Sequence, residues 1–162
     1  MDIKSKIHSV LGEAYSELKL LQNDFFIIGS AALILSGVGI SNTNDIDILV
    51  SDKDAGNLKM VWKDRIDRNY ITQRDDLFRS DFSRYRFGML DIEAMGNLEV
   101  NKNGTWTPLK VYEFVTYPLN DIQIKMPTIK EQKRILNFFG REKDKEKIKL
   151  IEGHEQYNCL KR

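Results

Sequence analysis

A short segment in the first third of the chain constrains the fold more than any other part of the sequence. An apolar run over residues 25–28 predicts a buried strand, and Gly29-Ser30 then turns the chain into a predicted helix over residues 31–35. A polar turn leads from that helix to a second predicted buried strand over residues 46–50. Two apolar strands joined through a helix predict a sheet with helices packed against it.

Two acidic residues stand at the start of the second strand. Asp45 and Asp47 are two positions apart, so their side chains point to one face of the strand, whereas Ile46 and Ile48 point to the other. Neighbouring ionised carboxylates repel each other, and a bound Mg²⁺ or Mn²⁺ would remove that penalty because these cations prefer oxygen ligands. Asp45 and Asp47 are therefore predicted to hold a divalent cation beside the phosphates of a substrate.

The turn at Gly29-Ser30 suits such a substrate. Glycine lets the backbone approach a phosphate closely, and a helix that starts at Ala31 offers free N–H groups and the positive end of its dipole. The alternative is a tight strand-to-helix turn without a ligand. A dinucleotide-binding fold fits poorly, because no G-x-G-x-x-G motif follows the strand.

A third carboxylate is expected on a neighbouring strand. Asp91 lies within an apolar run over residues 85–95. An acid in such a position can ligate a cation or accept the proton of an attacking hydroxyl group. Glu93 has the same strand parity as Asp91, so the choice between the two stays open at this point. The alternative for Asp91 is an ion pair with Arg84 or Arg86.

The rest of the chain mixes predicted helices and strands without strict alternation. Thr128 and Glu131 have the spacing of a capping box, and Gly140 is expected to end the helix that begins there. The pattern predicts an α/β (α+β) fold, with a mixed β-sheet flanked by helices, in a single domain over residues 1–162. The domain is predicted to consist of an N-terminal helix over 3–22, a core over about 24–125 and C-terminal helices within about 128–157. Within the core, we expect a helix over 53–66 and strands over 70–74 and 85–95, joined by a charged segment over 75–84. A hairpin turn is expected at 101–104, and a further strand at 122–124.

Composition excludes several classes of protein. Lys and Arg total 25 against 24 Asp and Glu, so the formal net charge of +1 gives no general attraction to nucleic acid or to an anionic membrane. A single cysteine excludes an internal disulfide framework, and two histidines argue against a structural zinc site. The first residues lack the apolar core of a signal peptide, and no apolar stretch is long enough to span a bilayer. A cytoplasmic protein without membrane contact is expected.

These motifs resemble those of a known family. Gly29-Ser30, then Asp45-Ile46-Asp47, then a later apolar strand with Asp91 is similar to the pattern of the polymerase-β-type nucleotidyltransferase superfamily. Near the end of the chain, residues 140–144 (Gly-Arg-Glu-Lys-Asp) resemble the Gly-Arg-x-Lys-Asp ending of its small bacterial members. Those members include aminoglycoside-nucleotidyltransferase-like proteins and toxins of abortive-infection systems. The resemblance covers residues 24–152, roughly, and implies a nucleotidyltransferase-like fold.

The resemblance also implies a function. It predicts transfer of a nucleoside monophosphate from a nucleoside triphosphate such as ATP to an acceptor hydroxyl, with release of pyrophosphate. The acceptor, a small molecule, RNA or protein, is not predicted. The expected ligands of two Mg²⁺ or Mn²⁺ ions are Asp45, Asp47 and Asp91, with Glu93 as a further candidate. The expected nucleotide-binding residues are Gly29, Ser30, Arg86 and Lys143.

Three alternatives remain at this level. The first alternative is the toxin-like half of a toxin–antitoxin pair, with an antitoxin as its partner. The second is a degenerate nucleotide-binding module without activity, and the third is an RNA-binding protein. The last rests on arginines interleaved with aromatic residues over 65–86, although the acids among them favour a solvated, salt-bridged face. The arginines of this segment are Arg65, Arg68, Arg74, Arg79, Arg84 and Arg86.

Overall fold

The structure is a computed structural model that describes residues 1–72 and 76–162. Within these two ranges the chain forms five helices and seven strands. They are, in chain order, α1 (Ile3–Leu18), β1 (Phe26–Ile28), α2 (Gly29–Leu35), β2 (Asp45–Val50), α3 (Asp52–Val61), β3 (Phe78–Tyr85), β4 (Asp91–Lys102), β5 (Thr105–Pro108), β6 (Phe114–Leu119), β7 (Ile122–Pro127), α4 (Ile129–Phe139) and α5 (Glu142–Leu160).

The main sheet is mixed, as the sequence predicts. Its strands run in the order β1-β2-β4-β3, and β5 pairs with a further part of β4. The β2–β4 pair is parallel, and the other pairs are antiparallel. Strands β6 and β7 form a separate antiparallel ribbon. The prediction of a mixed sheet flanked by helices is therefore confirmed.

One face of the sheet is sealed by helices. Ile46 and Ile48 of β2 have no exposed surface, and Ile92 of β4 is likewise fully buried. They share one apolar cluster with residues of α1 and α3, among them Leu11 and Leu58. Burying these side chains stabilises the sheet through the hydrophobic effect. The alternation of apolar and acidic residues along β2 decides which face this is.

The opposite face is covered over only part of its area. Ile28 and Leu49 belong to a second cluster, in which they pack with Ile135 and Phe139 of α4. Because Leu49 stands near the end of β2, α4 covers the half of this face that lies away from the start of the strand. Asp45 and Asp47, at the start of β2, do not belong to that apolar cluster.

The last two helices begin and end where local chemistry predicts. The Thr128 side chain accepts a hydrogen bond from the backbone N–H of Glu131 at 3.1 Å, and Gly140 ends α4 in the left-handed conformation with φ of 71°. In α5 the fully buried Asp144 accepts hydrogen bonds from the backbone and the guanidinium of Arg141. Two residues of the Gly-Arg-x-Lys-Asp ending thus fix the start of α5.

Several boundaries differ from the sequence predictions. The charged segment expected over 75–84 is largely strand β3, and the strand expected over 85–95 is divided between the end of β3 and β4. β3 lies at a sheet edge with polar side chains on both faces, so it lacks the alternation that marks a strand. Residues 70–72 are not a strand, and the remainder of the strand predicted over 70–74 lies outside the described residues. The helix expected over 3–22 ends at Leu18.

Other elements compare as follows. The helix expected over 53–66 ends at Val61, and the predicted hairpin turn at 101–104 is confirmed between β4 and β5. Strand β6 was not predicted, although it pairs along the whole of β7. None of the helices within the two described ranges is both long enough and apolar enough to cross a membrane.

Candidate active site

The parallel pairing of β2 and β4 brings four carboxyl groups to one face of the sheet. Asp45 lies opposite Asp91, and Asp47 lies opposite Glu93. Residues two apart on a strand share a face, so both pairs project on the same side, away from the cluster around Ile46. The site therefore depends on a long-range strand pairing and on two local Asp-x-Asp or Asp-x-Glu repeats.

Three of the four acids form the tightest group. Carboxylate oxygens of Asp45, Asp47 and Glu93 all lie within 4.8 Å of one another. Asp91 stands outside that group and accepts a hydrogen bond from Nε of Arg84 at 3.0 Å. Of the two candidates for the third acid, the geometry favours Glu93, and the ion pair considered for Asp91 is present.

Arg84 lies among the acids. Its Nη1 donates to Asp45 at 3.4 Å and to Glu93, while its Nε bonds Asp91. The side chain is only 15% exposed, and its guanidinium lies 4.7 Å from the ring centroid of Tyr70. Although burial opposes it, hydrogen bonding to Asp91 and Glu93 raises the pKa of Arg84 further, so this guanidinium stays charged.

One guanidinium does not satisfy four acids. Burial and the neighbouring charges of Asp45 and Glu93 raise the pKa of Asp47 to about 8. Burial and the charge of Asp45 also raise the pKa of Glu93, although Arg84 opposes that shift. Part of each shift comes from neighbouring carboxylates, so the negative charge of the group exceeds what Arg84 balances. A divalent cation would relieve this excess, and three oxygen donors within reach of one point fit Mg²⁺ or Mn²⁺.

Gly29 closes one side of the acidic group. Its φ of 67° is in the left-handed region, and a Cβ added there would lie 2.7 Å from Oδ2 of Asp47. Any other residue would be strained and would collide with the acid. Helix α2 begins at Gly29 itself, two residues earlier than predicted, so Gly29 and Ser30 form its first turn. The glycine predicted for phosphate approach lies directly against Asp47.

The two basic residues predicted to bind nucleotide, Arg86 and Lys143, lie on the surface. The Arg86 side chain is 61% exposed and donates to Asp67 at 2.8 Å. Lys143 is exposed on α5. No contact between either side chain and the four acids is found in the described residues. Their assignment to the nucleotide stays a prediction.

Sequence reasoning missed Lys147, a second lysine on α5. It lies one helical turn after Lys143 and is half-buried. Burial lowers its pKa, and the charges of Asp144 and Asp47 oppose that shift. Lys147 is thus close enough to Asp47 to interact with it electrostatically. The helical spacing of the two lysines was the available signal, since it puts both on one side of α5.

The arginines of the segment 65–86 are mostly paired within the chain. Arg65 donates to Glu13 at 2.8 Å, and Arg79 pairs with Glu99. Arg84 and Arg86 bind the acids described above. This is the arrangement expected of a salt-bridged face rather than of a free basic surface. Arg74, which belongs to the same predicted segment, lies outside the described residues.

Comparisons with known proteins give matches in structure but not in sequence. No protein-family model matches the chain, and no curated protein matches it. A candidate nucleotidyltransferase from Thermotoga maritima superposes with a TM-score of 0.74 at 19% identity, over 91% of this chain and 92% of that one. These identities are too low to transfer a substrate or an activity.

Two antibiotic-modifying enzymes also match. Lincosamide antibiotic adenylyltransferase LnuA, in its lincomycin-bound structure, gives a TM-score of 0.57 at 14% identity, over 94% of this chain and 98% of that one. ANT(2")-Ia in complex with adenylyl-2"-tobramycin gives 0.52 at 13% identity, over 97% and 93% of the two chains. The similarity drawn from the glycine turn and the acid pair thus extends over nearly the whole chain, which shares its fold with these nucleotidyltransferases.

Proposed function

We propose that this protein is a metal-dependent nucleotidyltransferase that moves a nucleoside monophosphate from a nucleoside triphosphate to an acceptor hydroxyl and releases pyrophosphate. The observation that carries the proposal is the group formed by Asp45, Asp47 and Glu93, whose oxygens converge within 4.8 Å beside Gly29. A fold shared with adenylyltransferases supports the reaction class and makes ATP the first donor to test.

The acids would hold the cation. Asp45, Asp47 and Glu93 supply hard oxygen donors, and Mg²⁺ or Mn²⁺ bound there would neutralise charge on the reacting phosphate and on the attacking oxygen. Asp91 remains the alternative third ligand. Glu93 is also the group we assign to accept the proton of the acceptor hydroxyl, through a carboxylate oxygen that does not hold the cation.

The chain's remaining residues would bind and orient the triphosphate. Gly29 leaves the space beside Asp47 free of side-chain atoms, and Ser30 follows in the first turn of α2. Lys147, whose charge interacts with that of Asp47, would face a phosphate bound near that acid. Arg86 and Lys143 stay as predicted contacts from the surface. Catalysis would then come from positioning and charge neutralisation in an in-line displacement.

The acceptor we favour is a small molecule with a hydroxyl group. The names of two structural neighbours specify a lincosamide antibiotic and an adenylylated tobramycin as their ligands or products. RNA and protein acceptors remain alternatives, as does the toxin-like role with an antitoxin. We propose a cytoplasmic location, where nucleoside triphosphates are available.

The central test is cation-dependent binding of a triphosphate. Calorimetric titration with a non-hydrolysable ATP analogue and Mg²⁺ should give binding to the wild type, and Asp45→Asn with Asp47→Asn should abolish it. Asp64→Asn with Asp121→Asn is the matched control, because both acids are exposed and lie outside the site. Unchanged affinity in the Asp45/Asp47 variant would refute the proposal.

A second pair of variants identifies the third acid. Glu93→Gln should weaken Mn²⁺ binding about ten-fold more than Asp91→Asn does, because only Glu93 belongs to the tight group. The reverse order would assign the ligand to Asp91. Incubation of the wild type with each labelled triphosphate, Mg²⁺ and a panel of hydroxylated small molecules would then identify donor and acceptor through pyrophosphate release.

A further inference from the structure

Arg84 occupies an unusual position for an arginine on an edge strand. It bonds Asp91 and Glu93 of the neighbouring strand β4, and it also reaches Asp45 of β2, one strand further into the sheet. Arg79, on the same strand, pairs with the single acid Glu99 and is 53% exposed, whereas Arg84 is 15% exposed. Arg84 is therefore more buried than Arg79 and bonds three acids, whereas Arg79 forms a single, exposed ion pair.

The nitrogens of Arg84 divide the acids into two sets. Nε bonds Asp91, which stands outside the tight acidic group. Nη1 bonds Asp45 and Glu93, which are members of that group. Because a guanidinium is planar and rigid, Nε and Nη1 point in different directions and bond different carboxyl groups. Two of the three carboxyl groups that would ligate a cation are thus bonded by Nη1.

From this geometry we infer that Arg84 is an internal counter-cation that competes with the divalent cation for Asp45 and Glu93. The inference rests on the proposed function, since it concerns the same site. In the cation-free protein, Nη1 offsets part of the repulsion among the acids. When a divalent cation binds Asp45 and Glu93, its positive charge repels the guanidinium, so Nη1 gives up these two acids. Asp91 is then a positioning residue that retains Arg84 through Nε.

The surroundings of Arg84 fit this role. The Tyr70 ring lies over the guanidinium and stacks on Phe82, with ring centroids 5.8 Å apart. Contact with a ring face stabilises a cation that has few water molecules around it. Tyr70 is 43% exposed, so the stack lies at the surface, where the guanidinium can shift without disturbing the sealed core. One arginine against four acids also leaves negative charge to attract a further cation.

The test is Mn²⁺ affinity without nucleotide, measured by calorimetry and by the electron paramagnetic resonance signal of free Mn²⁺. Arg84→Gln removes the competitor, so it should bind Mn²⁺ about five-fold more tightly than the wild type. Arg79→Gln is the matched control on the same strand and should stay within about two-fold of the wild type. Mn²⁺ should also raise the melting temperature of Arg84→Gln more than that of the control.

The outcomes separate this inference from the proposed function. Equal or weaker Mn²⁺ binding by a folded Arg84→Gln variant would overturn the competition while leaving the cation site intact. Absence of Mn²⁺ binding from the wild type and from both variants would refute the site itself. If Arg84→Gln does not fold, as judged by circular dichroism, Arg84→Lys replaces it. Lysine keeps the charge but not the fork, so affinity should rise by about two-fold, and no rise would count against the inference.

Discussion

Alternate residues of the same two strands face opposite environments. Ile46, Ile48 and Ile92 are fully buried under helices, whereas Asp45, Asp47 and Glu93 crowd together on the other face with one arginine among them. The apolar face lowers the free energy of the folded state, and the acidic face raises it. Such a difference along one strand pair indicates that the acids serve a ligand, because a sheet built only for stability would not need them.

The largest effect on stability is expected on the apolar face. Ile48→Ala should reduce the free energy of unfolding by about 3 kcal/mol, because it leaves a cavity in a closed cluster. Ile48→Val, which removes one methylene, should cost about 1 kcal/mol. Urea unfolding measures both. A loss below about 1 kcal/mol for the alanine variant would show that this face is less tightly packed than described.

The acidic face should respond in the opposite direction. Asp47→Asn should stabilise the cation-free protein by about 2 kcal/mol at about pH 8.5 and by little at about pH 5. Folding raises the pKa of Asp47 from 3.8 to about 8, so the folded state binds more protons between these values. The wild type therefore loses stability as the pH rises through that window, and asparagine cannot ionise.

Thermal unfolding in EDTA at the two pH values checks this prediction. Asp121→Asn, on an exposed turn, is the control and should show no such pH dependence. A gain of the same size at both pH values would mean that Asp47 does not titrate as described.

A smaller effect is expected where the backbone meets the acids. Gly29→Ala should cost about 1–2 kcal/mol because of the positive φ, and should also weaken Mn²⁺ binding by displacing Asp47. Gly56→Ala, in α3 with open space around the added Cβ, is the matched control and should be neutral or slightly stabilising. Chemical unfolding and Mn²⁺ titration measure both effects. Full Mn²⁺ affinity in Gly29→Ala would contradict the close approach.

The smallest expected effect separates two lysines of α5. Lys147→Met should weaken binding of the ATP analogue about ten-fold, since the half-buried lysine lies near Asp47. Lys143→Met, at the exposed position one turn earlier, should change affinity by less than about two-fold. Calorimetry with Mg²⁺ held constant compares them. A larger loss for Lys143→Met would support the assignment made from the sequence resemblance.

Strand β2 shows what the sequence reveals by itself. Its apolar and acidic residues alternate over the first four of six positions, so the strand, its buried face and its acid pair all follow from the strand period. The role of Gly29 can also be predicted from the sequence, because a glycine between a strand and a helix indicates a backbone constraint. These local patterns also carried the family resemblance.

Other features depend on pairing that no local pattern contains. Asp91 and Glu93 have the same parity, and only the register of β4 against β2 puts Glu93 opposite Asp47. Arg84 was assigned to a charged connecting segment, because β3 has no apolar face to mark it as a strand. Its position among the acids follows from β3 pairing with β4, which the sequence pattern does not specify.

The order of the strands has a consequence for how the protein matures. Glu93 lies 46 residues beyond Asp47, and the strands that carry them become neighbours only when the chain returns to the sheet in parallel. During synthesis, Asp45 and Asp47 would leave the ribosome well before their partners. A nascent or misfolded chain would therefore lack the group formed by Asp45, Asp47 and Glu93. The appearance of Mn²⁺ affinity would then show that β2 and β4 have paired correctly.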